Sequence, residues 1–213
     1  MQQLAKMKAE KLHHPLQPGA NRPAHFCVRT GILWQMKPDQ PASSDLCLAC
    51  GLCCDGSLFE RASLRSGEDE LAQSLGLTVI GTGSNDSGFR LPCPLFSGCC
   101  TIYNQQRPKI CNAFRCKQLL RQDRGQSLSE GLAKISRVRV MQAELAALLP
   151  NPGEEKPSLA EVKRQLHSLA TPEARRAHLN FVLLAAQYEM FLRTHFLVDF
   201  HKKNMDKDLP IMD

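Results

Sequence analysis

Cys47-Leu48-Ala49-Cys50-Gly51-Leu52-Cys53-Cys54 opens the stretch around which the chain is organised. Nine of the ten cysteines lie between Cys47 and Cys116. They form three groups: Cys47, Cys50, Cys53 and Cys54; Cys93, Cys99 and Cys100; Cys111 and Cys116. A two-residue gap lets two sulfurs turn toward one metal without stretching the backbone. Gly51 follows the second cysteine; glycine tolerates positive φ, so the chain there can fold back and aim amides at a sulfur. On a helix, at about 100° per residue, the four sulfurs would share roughly a third of the circumference. Adjacent Cys53 and Cys54 pair poorly with each other, which favours ligation over a local disulfide. A free cysteine is often a small buried hydrophobe. That reading accounts for Cys27 or Cys99 alone, but not for nine cysteines in seventy residues.

Composition bounds the rest. A chain of 213 residues can build one core, or one core with a helical appendage. Hydrophobic content of 43% and charged content of 23% are those of a globular protein rather than a disordered chain. Aromatics at 6% leave the core to Leu, Ala, Val and Ile. The net charge is +6, concentrated in Arg107, Lys109, Arg115, Lys117, Arg121 and Arg124 against Asp123 alone. Such a run is a solvated helix face or attracts phosphate or an acidic partner. Little aromatic interleaving argues against nucleic acid. The first 25 residues lack the apolar core of a signal peptide, and no run approaches the roughly 18 apolar residues of a membrane span. The expectation is therefore a cytoplasmic protein with no membrane partner. In a reducing compartment, clustered cysteines read as ligands or redox groups. Oligomeric state leaves no mark in the sequence.

The expected fold class is mainly α, with a small irregular α+β cysteine-rich metal-binding region and C-terminal helices packed around it. Residues 1–25 read as a poorly ordered N-terminal segment, with a short helix over Gln2–Leu12 and a Pro-rich stretch after it. Residues 26–125 hold the metal-binding region, 126–200 a helical region packing on it, and 201–213 a polar tail. Lys37–Ser44 reads as an irregular connector. Glu68–Leu75 predicts a helix with acidic residues in its first turn and Gly76 as C-cap. Thr78–Ile80 and Phe89–Leu91 predict a hairpin; a Gly-x-Gly phosphate loop is disfavoured because no helix follows it. Pro108 suits the first turn of a helix, although Cys111 and Cys116 stand more than a turn apart and imply an irregularity. Ser127–Leu149 carries Leu128, Leu132, Ile135, Val138, Met141, Leu145 and Leu149 in an amphipathic stripe, with Ser127 or Ser129 as the candidate cap and Glu130 three residues after Ser127. Ser158–Leu169 opens on a second capping box with Glu161. A last helix, Thr171 to about Phe200, is expected to be mostly buried through Leu179, Val182, Leu183, Ala186 and Met190.

Four ordered motifs carry a resemblance. They are Cys47-x2-Cys50-Gly51-x-Cys53-Cys54, Cys93-Pro94-Leu95-Phe96, Cys100-Thr101-Ile102-Tyr103 and Arg107-Pro108-x2-Cys111-x2-Phe114-x-Cys116. Together they resemble the CxxCxxCC cysteine-cluster family, a zinc- or iron-chelating domain whose members are often labelled iron–sulfur proteins or oxidoreductases. The match spans residues 47–116. It implies eight metal ligands: Cys47, Cys50, Cys53, Cys54, Cys93, Cys100, Cys111 and Cys116. Cys27 and Cys99 fall outside it, as does everything after Gln126. The wider family is similar to a flagellin lysine N-methylase, which offers a protein lysine methylase as an enzymatic alternative.

Zinc and iron–sulfur clusters both take four thiolates. Three features favour a cluster, of the 4Fe-4S kind: the Cys-x2-Cys-x2-Cys run, Pro94 after Cys93, and cations beside Cys111 and Cys116 that would offset a tetrathiolate. The function expected is an iron–sulfur protein with a redox or cluster-supported role and an unknown redox or protein partner. The alternative is a structural zinc module that mediates protein or nucleic-acid interaction. Eight ligands also leave the number of sites open. His25 is a weaker ligand candidate, His167, His178 and His195 read as helix residues, and Tyr103 and Phe114 read as packing around the site. No catalytic acid or base stands out.

Overall fold

The computed structural model describes residues 25–26, 33–34, 42–82, 86–149 and 156–198. Helix α1 spans Ala42–Cys50, so it begins inside the expected connector. Gly51 ends it with φ +64, and a Cβ there would lie 2.2 Å from the Phe96 ring. Both the backbone angle and the space therefore require glycine. The two-stranded ladder β1 (His25–Phe26) with β2 (Leu33–Trp34) precedes it in the chain.

After the first cysteine group come β3 (Arg61–Ser63), α2 (Asp69–Ser74), β4 (Val79–Ile80) and β5 (Gly88–Arg90). The expected hairpin is present, with Val79 opposite Phe89. The sheet has a third strand that the sequence reading missed: the order is β3-β5-β4, all antiparallel, with Ala62 opposite Phe89. Three residues with one buried side chain, Ala62, give too little alternation to read as a strand. Gly76, at φ +74, follows α2 as expected.

Helix α3 (Lys109–Ala113) starts after Pro108. Phe114 is extended (φ −67, ψ 128), and α4 (Lys117–Asp123) restarts behind Cys116 as N-cap. This break is the irregularity expected between Cys111 and Cys116.

The rest is a helical brace. Helix α5 (Leu128–Leu148) carries the full Ser127–Glu130 capping box and buries Ile135, Val138, Met141 and Leu145 on one face. Helix α6 (Leu159–Ser168) is capped by Ser158, whose Oγ accepts from Glu161 N at 3.0 Å. Glu161 itself turns to Arg164 and Gln165. The single last helix is corrected to two, α7 (Pro172–Ala177) and α8 (Leu179–His195), broken at His178 (φ −114, ψ 34). The buried face is also corrected. Phe181, Ala185, Tyr188 and Leu192 point inward, whereas Leu179, Leu183 and Met190 are 52%, 53% and 65% exposed. Both stripes have helical spacing, so periodicity alone could not choose between them.

One core runs through both regions, from Leu46 and Leu52 beside the cysteines to Val138, Leu145, Phe181 and Phe196 in the brace. Helix α5 packs on α8 and α1, and α1 packs on α4. Gly131 leaves room for this packing, since a Cβ there would fall 2.7 Å from a Leu46 methyl. Part of the basic run serves this packing. The free carbonyls at the end of α8 accept from α4: Arg193 O from Lys117 Nζ at 2.6 Å, Thr194 O from Arg121 at 3.1 Å, and His195 O from Gln118 at 2.8 Å. Cations at a helix C-terminus also complement its dipole. Arg115 is paired with Asp123. No helix among the described residues is long and apolar enough to cross a membrane.

Candidate metal centre

The eight family-pattern cysteines are free thiols, and all eight line one cavity of about 100 Å³. Its walls are otherwise apolar (Leu46, Leu52, Phe89, Ile110, Phe114, Ile135 among them) with Tyr103, Arg107 and Gln118 as polar exceptions. Cys99 stands apart, because it is disulfide-bonded and not the small buried free thiol expected of it. Cys27 lies outside the described residues, as do the expected N-terminal helix and the polar tail. The side chain of His25 does too.

Local structure delivers each thiol. Cys47 and Cys50 sit one turn apart on α1. Beyond Gly51 the chain turns, with Asp55 N donating to Gly51 O at 2.9 Å and Leu58 N to Leu52 O at 3.1 Å. Cys53 and Cys54 lie in that turn. Cys93 is tied directly to it: its N–H donates to Cys54 O at 2.7 Å. The loop onward closes through Phe96 N to Cys93 O at 3.0 Å and a bridge between Phe96 and Cys100. Cys111 rides on α3 and is exposed, whereas Cys116 at the head of α4 is buried.

Burial is the first cause of every shift among these thiols. It pushes Cys47 up to about 11 and raises Cys50, Cys53, Cys54, Cys93 and Cys116; Cys111, exposed as a residue yet lining the cavity, is also raised. Neighbouring sulfurs raise most of them further. Opposing groups are built in: the amide of Leu52 faces Cys50, those of Leu95 and Phe96 face Cys93, and those of Gln118 and Leu119 face Cys116. Arg107 acts on Cys47 and Cys111, Arg115 on Cys47 and Cys116, and Arg139 on Cys50. Arg107 stacks over the Tyr103 ring at 4.2 Å, and its Nε is buried without a hydrogen-bond partner among the described residues.

The donor set fits a soft, thiolate-seeking metal. Eight thiols, amides aimed at three of the sulfurs and guanidinium groups nearby suit an anionic metal–thiolate group in an apolar wall. As the side chains stand, however, no group of three or more His, Cys, Asp or Glu among the described residues is arranged to hold one ion. The thiols surround a space rather than meet at a point.

Arg139 and Asp55 are the site residues that sequence reasoning missed. Arg139 Nη2 pairs with Asp55 at 2.5 Å, and Arg139 also donates to Ser57 Oγ at 3.2 Å and Gln142 Oε1 at 3.0 Å. Ser57 O in turn accepts from Leu159 N at 2.9 Å, and buried Gln142 bonds Ser57 Oγ at 3.0 Å. The helical region thus grips the return of the first cysteine turn. An arginine on an amphipathic helix carries no such signal in one sequence. Tyr103 and Phe114 do line the site; His195 packs on Phe191 at 4.4 Å and against Arg121, as a helix residue. No family model, no curated protein and no solved structure matches the chain.

Proposed function

We propose that this is a cysteine-ligated metal protein, and that the group it holds is an iron–sulfur cluster with a redox or cluster-supported role. The observation that carries the reading is the convergence of eight free thiols on one apolar cavity. The residues that would hold the group are drawn from Cys47, Cys50, Cys53, Cys54, Cys93, Cys100, Cys111 and Cys116. A cluster supplies one-electron transfer, at a potential set by net charge, hydrogen bonds to sulfur and exposure. Each of those three settings has a counterpart in this chain: Arg107, Arg115 and Arg139 for charge, the amides facing Cys50, Cys93 and Cys116, and an apolar wall. No carboxylate or imidazole lines the cavity among the described residues, which favours electron transfer over acid–base chemistry at the site itself.

The deciding experiment is metal and inorganic sulfide content, with a visible spectrum, on protein purified without oxygen. Iron, sulfide and a band that dithionite bleaches support the cluster. A colourless protein with stoichiometric zinc sinks it and leaves the structural zinc module, which a metal-dependent fold would favour. The methylase alternative is tested by calorimetry with S-adenosylmethionine on the metal-loaded protein; no heat of binding counts against it.

A further inference from the structure

We propose that the open edge of the centre, at Cys111, is the docking surface for an acidic electron-carrier protein, held there by Arg107 and Lys109. The inference rests on the cluster reading and adds the class of partner and the place where it binds.

Access defines the edge. Of the eight cavity thiols, Cys111 is exposed and the other seven are buried or half-buried. It sits on α3, which starts directly after Arg107 and Pro108. The surface of the same segment is polar: Asn104, Gln105, Gln106, Lys109 and Asn112 are all exposed. A group held by these thiols comes nearest to solvent at Cys111, and electron exchange between proteins needs close approach.

Charge marks the same edge. Residues 87–122 contain no Asp or Glu, but they carry Arg90, Arg107, Lys109, Arg115, Lys117 and Arg121. Three of these are engaged within the fold: Arg115 pairs with Asp123, and Lys117 and Arg121 hold the end of α8. Arg107 and Lys109, the two that precede Cys111, meet no carboxylate with their side chains among the described residues. The acid that touches this segment is Glu68. Its two oxygens accept from backbone amides, Lys109 N at 2.7 Å and Arg65 N at 2.9 Å, so it anchors the start of α3 and pairs with neither cation.

The two cations suit a protein carboxylate. Arg107 lines the cavity and lies over the Tyr103 ring at 4.2 Å, which fixes its guanidinium, and its Nε lacks a partner among the described residues. A planar fork already held in place loses little freedom when it takes a carboxylate. Arg107 alone could serve as an internal counter-charge to the thiolates. Lys109 is exposed and turns the charge outward, two residues from Cys111. Complementary charge of this kind steers encounter and fixes orientation. Redox encounters are small and transient, so a few charges within a polar rim suffice. One electron passes between the partner's carrier and the group at the centre. The side that gives it up is oxidised, the other is reduced, and no proton moves.

The test uses the full-length chain purified without oxygen, with an acidic [2Fe–2S] ferredoxin as probe and basic cytochrome c as control. Carbodiimide cross-linking, which joins a lysine amine to a carboxylate, is mapped by mass spectrometry. Ferredoxin should cross-link at Lys109, and the product should vanish at about 1 M salt, where the Debye length is about 3 Å. Cytochrome c should give none there. In calorimetry, Arg107→Gln and Lys109→Gln should each weaken ferredoxin binding by up to about fivefold, the reach of an exposed charge pair. Arg107→Lys should recover part of the loss, since it keeps the charge without the fork. Should Arg107→Gln fail to fold, Lys109→Gln decides. Absence of the Lys109 product, or cross-linking spread evenly over the lysines or unchanged by salt, overturns the docking surface. Displacement of ferredoxin by inorganic phosphate, but not by chloride at equal ionic strength, would give the two cations to a small anion and also overturn it. Iron and sulfide content of the same sample judges the cluster reading separately. A zinc-loaded, iron-free protein that still cross-links at Lys109 would overturn the electron-carrier role and leave the acidic-protein surface standing.

Discussion

Arg139 of α5 donates to the backbone carbonyl of Cys50 at 3.2 Å, across 89 positions of sequence. The same guanidinium pairs with Asp55 at 2.5 Å, so one side chain holds both sides of the turn that carries Cys53 and Cys54. Its planar fork suits several acceptors at once, which a lysine ammonium cannot reproduce. Arg139→Gln should destabilise the metal-free protein by about 2 kcal/mol, the order of hydrogen bonds to a charged group. It should also speed loss of metal to a chelator. Arg139→Lys, which keeps the charge, should recover part of the metal retention and little of the stability. Urea melts and chelator kinetics check both. A glutamine variant equal to wild type in each would remove Arg139 from any role in the centre.

Gly51 gives a second handle on the same turn. It has φ +64, and its missing Cβ leaves room for Phe96, the residue three beyond Cys93. Gly51→Ala meets two penalties: a left-handed backbone, about 1–2 kcal/mol, and overpacking against the ring, about 1–3 kcal/mol. The expected result is a loss of at least about 2 kcal/mol in a denaturant melt. Phe96→Ala in the same background should relieve the steric part and leave the backbone part. No relief in the double variant would mean that the ring contact costs nothing.

What the sequence disclosed follows from which interactions are local. The α5 capping box, the hairpin of β4 and β5 and the break between Cys111 and Cys116 each depend on residues a few positions apart, and each was legible. The eight cysteines that the motif picked out are also the eight free thiols of the cavity. What stayed hidden is long-range. Arg139 meets Asp55 only because α5 packs on α1, and β3 is a strand only because β5 lies beside it. The buried face of α8 was misread because Leu179, Leu183 and Met190 repeat as regularly as Phe181, Ala185, Tyr188 and Leu192.

That correction is itself testable. Ala185 is fully buried between packed helices, and Leu183 is 53% exposed. Ala185→Glu would place a carboxylate in an apolar core without a partner, which is strongly destabilising, more than about 3 kcal/mol. Leu183→Glu should stay within about 0.5 kcal/mol of wild type, as surface changes usually do. Thermal melts of the two variants suffice. The reverse ranking would restore the face that periodicity first suggested.

The last prediction concerns pH. In the metal-free fold, burial raises the thiols, Cys47 to about 11. A thiol in the unfolded chain titrates near pH 8.5. Below about pH 8 both states keep the proton, and these groups add no slope. Above that, the unfolded chain releases protons that the folded one retains, so stability falls as pH rises from about 8.5 toward the folded values. The urea midpoint of metal-free protein should therefore drop between about pH 8 and pH 10. Metal-loaded protein should behave differently, because ligand thiols are already deprotonated. Its midpoint should instead rise through the lower part of this window and level off above it, because the unfolded chain still binds protons that the ligated thiolates do not, and loading at pH 7 should release protons that a weakly buffered titration can count. A level midpoint in the metal-free protein would show that its thiols are not held protonated by burial. Equal slopes with and without metal would show that the metal is bound by something other than these sulfurs.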